Sequence, residues 1–143
     1  MFFYTGHVLV EAPQLKEKPR TKILHLANEM KGTAYRYGGN MKSGFDCSGF
    51  TQYVYRKALD IELARSSRQQ ARQGKKVKLK KAQPGDLIFF KSAKQINHVG
   101  IIFKKSKGRL LMIHASTSQG VIIEDIASSE YWSQRIDQVR SYL

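Results

Sequence analysis

Gly44-Phe45-Asp46-Cys47-Ser48-Gly49-Phe50-Thr51-Gln52-Tyr53-Val54-Tyr55-Arg56-Lys57-Ala58 is the stretch that decides the fold. Phe50, Tyr53, Val54 and Ala58 recur at helical spacing and predict one apolar helix face. Asp46 is a good N-cap, so the helix should open at Asp46-Cys47-Ser48 with Cys47 in its first turn. Unpaired backbone N–H groups and the positive helix end favour a thiolate there, lowering a pKa that is otherwise about 8.5. Cys47 is the single cysteine, which excludes an intramolecular disulfide and a cysteine-based metal cluster. The glycine-rich loop before it should leave the sulfur open to substrate.

Upstream of that helix lies Tyr35-Arg36-Tyr37-Gly38-Gly39-Asn40, followed by Lys42-Ser43-Gly44, a loop dense in turn residues. Before the loop, Ile23, Leu26, Ala27 and Met30 form one apolar stripe and predict a first helix that stops at Gly32. Glu11 to Arg20 carries Pro13 and Pro19 among charges and reads as an extended lead-in, so residues 1–20 are expected to be an N-terminal extension and 21–143 the domain. Met1 to Val10 is apolar but has no basic start, long core or small-residue cleavage site, and is not expected to be a signal peptide.

Downstream, Lys75, Lys76, Lys78, Lys80 and Lys81 read as a connecting segment, and Pro84-Gly85 marks a turn. Strands are predicted over 86–91, 98–103, 109–115, 121–124 and 136–143, with a short helix over 129–134. Helices first and strands after imply an α+β fold with an antiparallel sheet.

A thiol needs a base, and the chain has four histidines, His7, His25, His98 and His114. His98 begins one predicted strand and His114 nearly ends the next. If these strands pair around Lys105-Ser106-Lys107, the two imidazoles stand directly opposite on one face, and a slip of the hairpin leaves them diagonal neighbours. A helix presenting Cys47 to that end of the sheet would bring nucleophile, base and orienting group together from three elements.

Charge bounds the partners. Lys and Arg total 25 against 11 acidic residues, a formal net charge of +14, which steers a protein towards polyanions. No aromatics alternate with the lysines, no zinc-ligand spacing is present and no ribonucleoprotein signature occurs, so nucleic acid is not expected as the main partner. At 143 residues and 41% hydrophobic, the chain suits one compact domain. No apolar run approaches the ~18–20 residues needed to span a bilayer.

Tyr35-Arg36-Tyr37-Gly38-Gly39, Gly44-Phe45-Asp46-Cys47-Ser48-Gly49-Phe50, Pro84-Gly85-Asp86-Leu87, His98-Val99-Gly100-Ile101 and Ile113-His114-Ala115-Ser116 closely resemble, in order, the motifs of the NlpC-type cell-wall cysteine peptidases. Ala115 to Ile123, with Tyr131-Trp132, looks most like the Gram-negative murein endopeptidases of the Spr (MepS) type. The resemblance implies a papain-like core, a Cys-bearing helix packed on a central antiparallel sheet that carries both histidines. It implies Cys47 as nucleophile, His98 as base and His114 as the residue that orients the base. Tyr35 matches a tyrosine that helps bind substrate and hold the oxyanion, and Ser48, Arg65 and Ser66 match substrate-cleft positions. Ala64 stands where the family usually has Pro.

The implied activity is hydrolysis of peptidoglycan stem-peptide amides with no metal or organic cofactor, at the D-alanyl-meso-diaminopimelate cross-link, in the cell envelope. Two alternatives stay open: cleavage at γ-D-glutamyl-meso-diaminopimelate, and a wall-binding module without catalysis. The implied partners are stem peptides, with an anionic membrane or wall polymer as a further contact.

Overall fold

The computed structural model describes residues 17–143, together with the backbone strands β1 (Phe2–Thr5) and β2 (Val8–Glu11), which pair antiparallel. The lead-in expected over Glu11 to Arg20 lies partly outside the described residues, as does His7. Its C-terminal end is helical rather than extended. Helix α1 (Pro19–Glu29) starts at Pro19, whose missing N–H costs nothing in the first turn. Ile23 and Ala27 are buried, and Leu26 and Met30 pack at the edge of the same core. Gly32 takes a left-handed φ of 87° just beyond the helix and donates its N–H to Val121 O.

A two-stranded hairpin, β3 (Asn40–Met41) and β4 (Gly44–Phe45), leads into helix α2 (Cys47–Leu59). Phe50, Tyr53 and Val54 face the core as their spacing predicts, but Thr51 and Tyr55 are buried too. The second buried side exists because α2 is also packed by α3 (Ser67–Gln70) and by the turn at Gly85. Thr51 Oγ1 donates to Gln70 Oε1 at 2.8 Å, and the Tyr55 hydroxyl donates to Gly85 O. Polar groups satisfied in this way let a helix be buried beyond one stripe.

The sheet has six strands, all pairings antiparallel: β5 (Lys75–Val77), β6 (Leu87–Ser92), β7 (Gln95–Ser106), β8 (Arg109–Ser116), β9 (Gly120–Asp125) and β10 (Ile136–Ser141). Their spatial order is β5-β10-β6-β7-β8-β9. Alternation along β6 divides the core. Leu87 and Phe89 join the layer with α1 and α2, while Ile88 and Phe90 join a second cluster with Ile102, Met112 and Val139. A short helix, α4 (Glu130–Ser133), lays Trp132 against that second cluster.

The lysine run departs from expectation. Lys75 and Lys76 belong to β5, which adds an edge strand on β10, and Leu79–Lys81 form a 3-10 turn. Exposed lysines on an edge strand oppose further strand addition. Lys105 Nζ donates to the carbonyls of Leu79, Lys80 and Ala82, which ties the turn down. At the far end, Arg20 pairs with the buried Asp86 at 2.7 Å, joining α1 to the start of β6.

Gly49 sits where α2 passes the Gly39 carbonyl, and a Cβ there would stand 1.9 Å from that oxygen. Alanine would gain up to about 1 kcal/mol in helix propensity but must displace backbone, at a cost of about 3 kcal/mol. Gly49→Ala should therefore lower the urea midpoint clearly; an unchanged midpoint would show that the loop yields freely.

Candidate functional site

Asp46 caps α2, accepting from Gly49 N–H at 2.7 Å, and so sets Cys47 at the first helical position. Its carboxylate is gripped by Arg65, whose Nη1 and Nη2 donate to Oδ1 at 3.1 Å and Oδ2 at 2.9 Å. The same guanidinium reaches Ser48 Oγ at 3.1 Å and Gly39 O at 3.4 Å, so one residue fastens cap, helix and loop. Ser66 Oγ accepts from Gln69 N–H and caps α3. Ser48 is buried against Arg65 and Asp46. Asp46, Ser48 and Arg65 brace the start of α2, whereas Ser66 braces α3.

Cys47 Sγ lies 4.0 Å from Asn97 O, the carbonyl immediately before His98. Asn97 is an extra residue in β7: the pairing with β6 runs Phe90↔His98 and then Lys91↔Ile96. This bulge turns its carbonyl towards α2. Tyr35, held beside Phe45 by an isolated parallel bridge, packs on the same part of the core as Cys47. Burial raises the Tyr35 phenol above its ordinary value, and the charge of a Cys47 thiolate adds to the rise.

His98 and His114 are not directly opposite. Ile102 pairs with Met112 and Ile101 with Ile113, so Gly100 stands across from His114 and His98 is diagonal to it. The hairpin turns around Lys107-Gly108 rather than Ser106, which shifts the register. His98 Nε2 nevertheless lies 2.8 Å from His114 Nδ1, and His114 Nε2 lies 2.7 Å from Glu124 Oε1. Glu124, on β9, was not singled out in the sequence. It shares parity with His114 once β8 and β9 pair around their turn, with His114 opposite Ile122. Trp132 stacks on His98 at 4.7 Å between ring centroids and meets His114 edge-on at 5.3 Å.

Burial governs the protonation states. The Cys47 thiol is raised to about 11 by desolvation, which outweighs the helix-start N–H groups, and Asp46 pushes it further up. The sequence-based expectation of a thiol pKa lowered by the helix start is thus reversed. His98 is lowered to about 3, first by burial and then by repulsion from His114. His114 is lowered by burial, against the pull of Glu124. At rest the thiol and both imidazoles are neutral.

His98, Asn97, Glu124, Gln119, Tyr131 and Trp132 line part of a cleft of about 420 Å³. A second groove of about 470 Å³ includes Gln95 and Ile96 and is lined by Arg68, Arg72, Lys94 and Arg140. Among the described residues no three His, Cys, Asp or Glu side chains gather as a metal-binding group. Among the same residues no helix is long and apolar enough to cross a membrane.

A thiol at a helix start, laid on an antiparallel sheet that carries two linked imidazoles, is the layout of the papain-like cysteine peptidase class. The chain belongs to the NlpC/P60 family, whose profile matches residues 32–141. It is 38% identical over 124 residues to the "Murein DD-endopeptidase MepS/Murein LD-carboxypeptidase" of Escherichia coli K12, covering 87% of this chain and 63% of that protein. It is 41% identical over 145 residues to the "Gamma-DL-glutamyl hydrolase" of Bacillus subtilis 168, covering 97% of this chain and 34% of that one. The NlpC/p60 domain of the peptidoglycan hydrolase SagA superposes with a TM-score of 0.73 at 31% identity, covering 85% of this chain and 97% of that domain. The chain thus spans under two thirds of the length of both curated relatives.

The depressed His98 value carries a pH signature. The unfolded chain takes a proton at His98 near pH 6.5, the folded one only near pH 3, so unfolding absorbs a proton between them. Stability from this group is therefore full above about pH 6.5 and falls as pH drops towards 3, by at most about 1.4 kcal/mol per pH unit. Urea unfolding of His98→Gln between pH 4 and 7 should show a shallower slope than wild type. Coincident slopes would mean that His98 is not held neutral.

Proposed function

We propose that residues 21–143 form a peptidoglycan endopeptidase domain that cuts stem-peptide amides with Cys47 as nucleophile, His98 as base and His114 as its orienting partner. The observation that carries this reading is the hydrogen-bonded line from Glu124 through His114 to His98, ending one residue from the carbonyl that the Cys47 thiol faces. His98 Nε2 is engaged with His114, so Nδ1 is the nitrogen left to take the thiol proton. Because thiol and imidazole are both neutral at rest, the proton moves to His98 as the sulfur attacks the carbonyl carbon. Backbone N–H groups at the start of α2 and the Tyr35 hydroxyl receive the developing oxyanion. Collapse expels the amine, which takes the proton from His98, and leaves a thioester. Water then gives a proton back to His98 as it attacks, and Cys47 leaves as thiol.

The cross-link between D-alanine and meso-diaminopimelate is the preferred bond, since a DD-endopeptidase is among the relatives. The γ-D-glutamyl-meso-diaminopimelate bond is the second reading, favoured by the γ-DL-glutamyl hydrolase. Either substrate fits a location in the cell envelope. Digestion of purified sacculi, with mass analysis of the released muropeptides, separates the two: dimers fall to monomers in the first case, and stems shorten to dipeptides in the second. Cys47→Ala should drop release to background with the circular dichroism spectrum unchanged. Activity above trace in Cys47→Ala would overturn the nucleophile.

The basic surface serves attachment in this reading. Lys75, Lys76, Lys78, Lys80 and Lys81 are exposed, and the Arg68, Arg72, Lys94 and Arg140 groove adds to the same net charge. Neutralising the five lysines should weaken binding to sacculi or anionic membrane at low salt, where screening over about 10 Å at 0.1 M is relaxed. Cleavage of a small soluble muropeptide should stay within about twofold of wild type, because exposed charges act over long range more than on chemistry. Equal loss on both substrates would move the lysines into the site or the fold.

A further inference from the structure

We propose that Glu124 is a positioning residue that selects the working tautomer of both imidazoles and makes His98 a stronger base. The proposal rests on the reading of His98 as the base for Cys47. A carboxylate offers only acceptors, so at 2.7 Å His114 Nε2 must carry the proton and donate. A neutral His114 then has a bare Nδ1, which at 2.8 Å accepts from His98 Nε2–H. His98 Nδ1 is left with its lone pair free, the only state in which it can accept a thiol proton. Without the carboxylate nothing fixes this direction. His114 could then carry its proton on Nδ1 and donate to His98 Nε2, leaving His98 with its proton on Nδ1 and no base to offer. One hydrogen bond at the far end therefore decides whether the near nitrogen is a base.

The placement of Glu124 agrees with such a role. It shares a face with His114 on the neighbouring strand, and its side chain is about one-third exposed at the cleft rim. Arg135, from the turn after α4, lies in the same cleft with its guanidinium stacked on Tyr131 at 3.8 Å. Asp46, on the α2 side, is already paired with Arg65. Trp132, on α4, is neutral and stacks on His98. Among the described residues, Glu124 alone is in hydrogen-bond contact with the imidazole pair.

The test is the pH profile of Cys47 alkylation by iodoacetamide, which reads thiol activation without any peptide substrate. A carboxylate stabilises positive charge on the imidazoles, so its loss makes His98 a weaker base that protonates only at lower pH. Glu124→Gln should cut the alkylation rate at pH 7 about three- to tenfold and move the acid limb to lower pH, as expected for a nearby charge. A merely structural side chain would leave the limb in place. His98→Ala is the control for the underlying reading and should abolish the enhanced rate. If His98→Ala alkylates like wild type, the base assignment fails. If it loses the enhancement while Glu124→Gln keeps the wild-type profile, the role of Glu124 alone is overturned. A measurement on the unaltered protein covers the case in which Glu124→Gln does not fold. Imidazole nitrogen NMR near pH 7 should find the proton on Nε2 in both His98 and His114, and a proton on Nδ1 of His98 would overturn the proposal.

Discussion

Because side chains alternate along a strand, the bond between His98 and His114 exists only while β7 and β8 hold both residues on one face. The turn end of this hairpin pairs as Ser106↔Arg109 and Lys104↔Leu111, a register that would put the two imidazoles on opposite faces. Phe103 has no partner, and beyond it the pairing resumes as Ile102↔Met112. That one extra residue reverses the parity and returns His98 to the face of His114. A second extra residue, Asn97, then turns its carbonyl towards the thiol. Both bulges lie in the longest strand of the sheet and bracket the histidine between them. The β7 backbone thus aims His98 from both sides.

The helix start is specified with similar care, and its parts oppose one another. Desolvation of Cys47 where the start of α2 meets β7 disfavours a thiolate more than the helix N–H groups favour it. A thiol kept neutral resists stray oxidation and reacts only where a base is offered. Such a site depends on the quality of its base. In the proposed reading that base is His98, which burial under Trp132 and repulsion from His114 make weak unless something holds its tautomer and steadies its charge. Glu124 is placed to do this through His114.

Local signals wrote much of the fold plainly. Phe50, Tyr53 and Val54 marked α2, Asp46 marked its cap, and the five predicted strands all exist within a few residues of their expected bounds. What stayed hidden depends on partners distant in sequence. Lys75 to Val77 carry no strand pattern of their own and become β5 only because β10 offers an open edge. Thr51 and Tyr55 look solvent-facing until α3 and Gly85 supply their hydrogen-bond partners. The bulges were equally illegible, since Phe103 and Asn97 differ in no obvious way from paired neighbours. Glu124 needed the β8–β9 register before its parity with His114 carried meaning.

Arg65 illustrates how a position matched to a substrate cleft can have a prior structural duty. Asp46 is needed as a cap, worth about 1 kcal/mol to the helix, yet its negative charge raises the thiol further. Arg65 meets that carboxylate with a two-pronged contact and places a cation within reach of the helix start. The fork geometry matters, because a lysine could offset the charge but not hold Asp46, Ser48 and the Gly39 carbonyl at once. The site therefore carries two carboxylates with opposite duties. Asp46 shapes the helix and is held by Arg65, at the cost of raising the thiol. Glu124 stands at the rim in contact with His114, where it can act on the imidazoles.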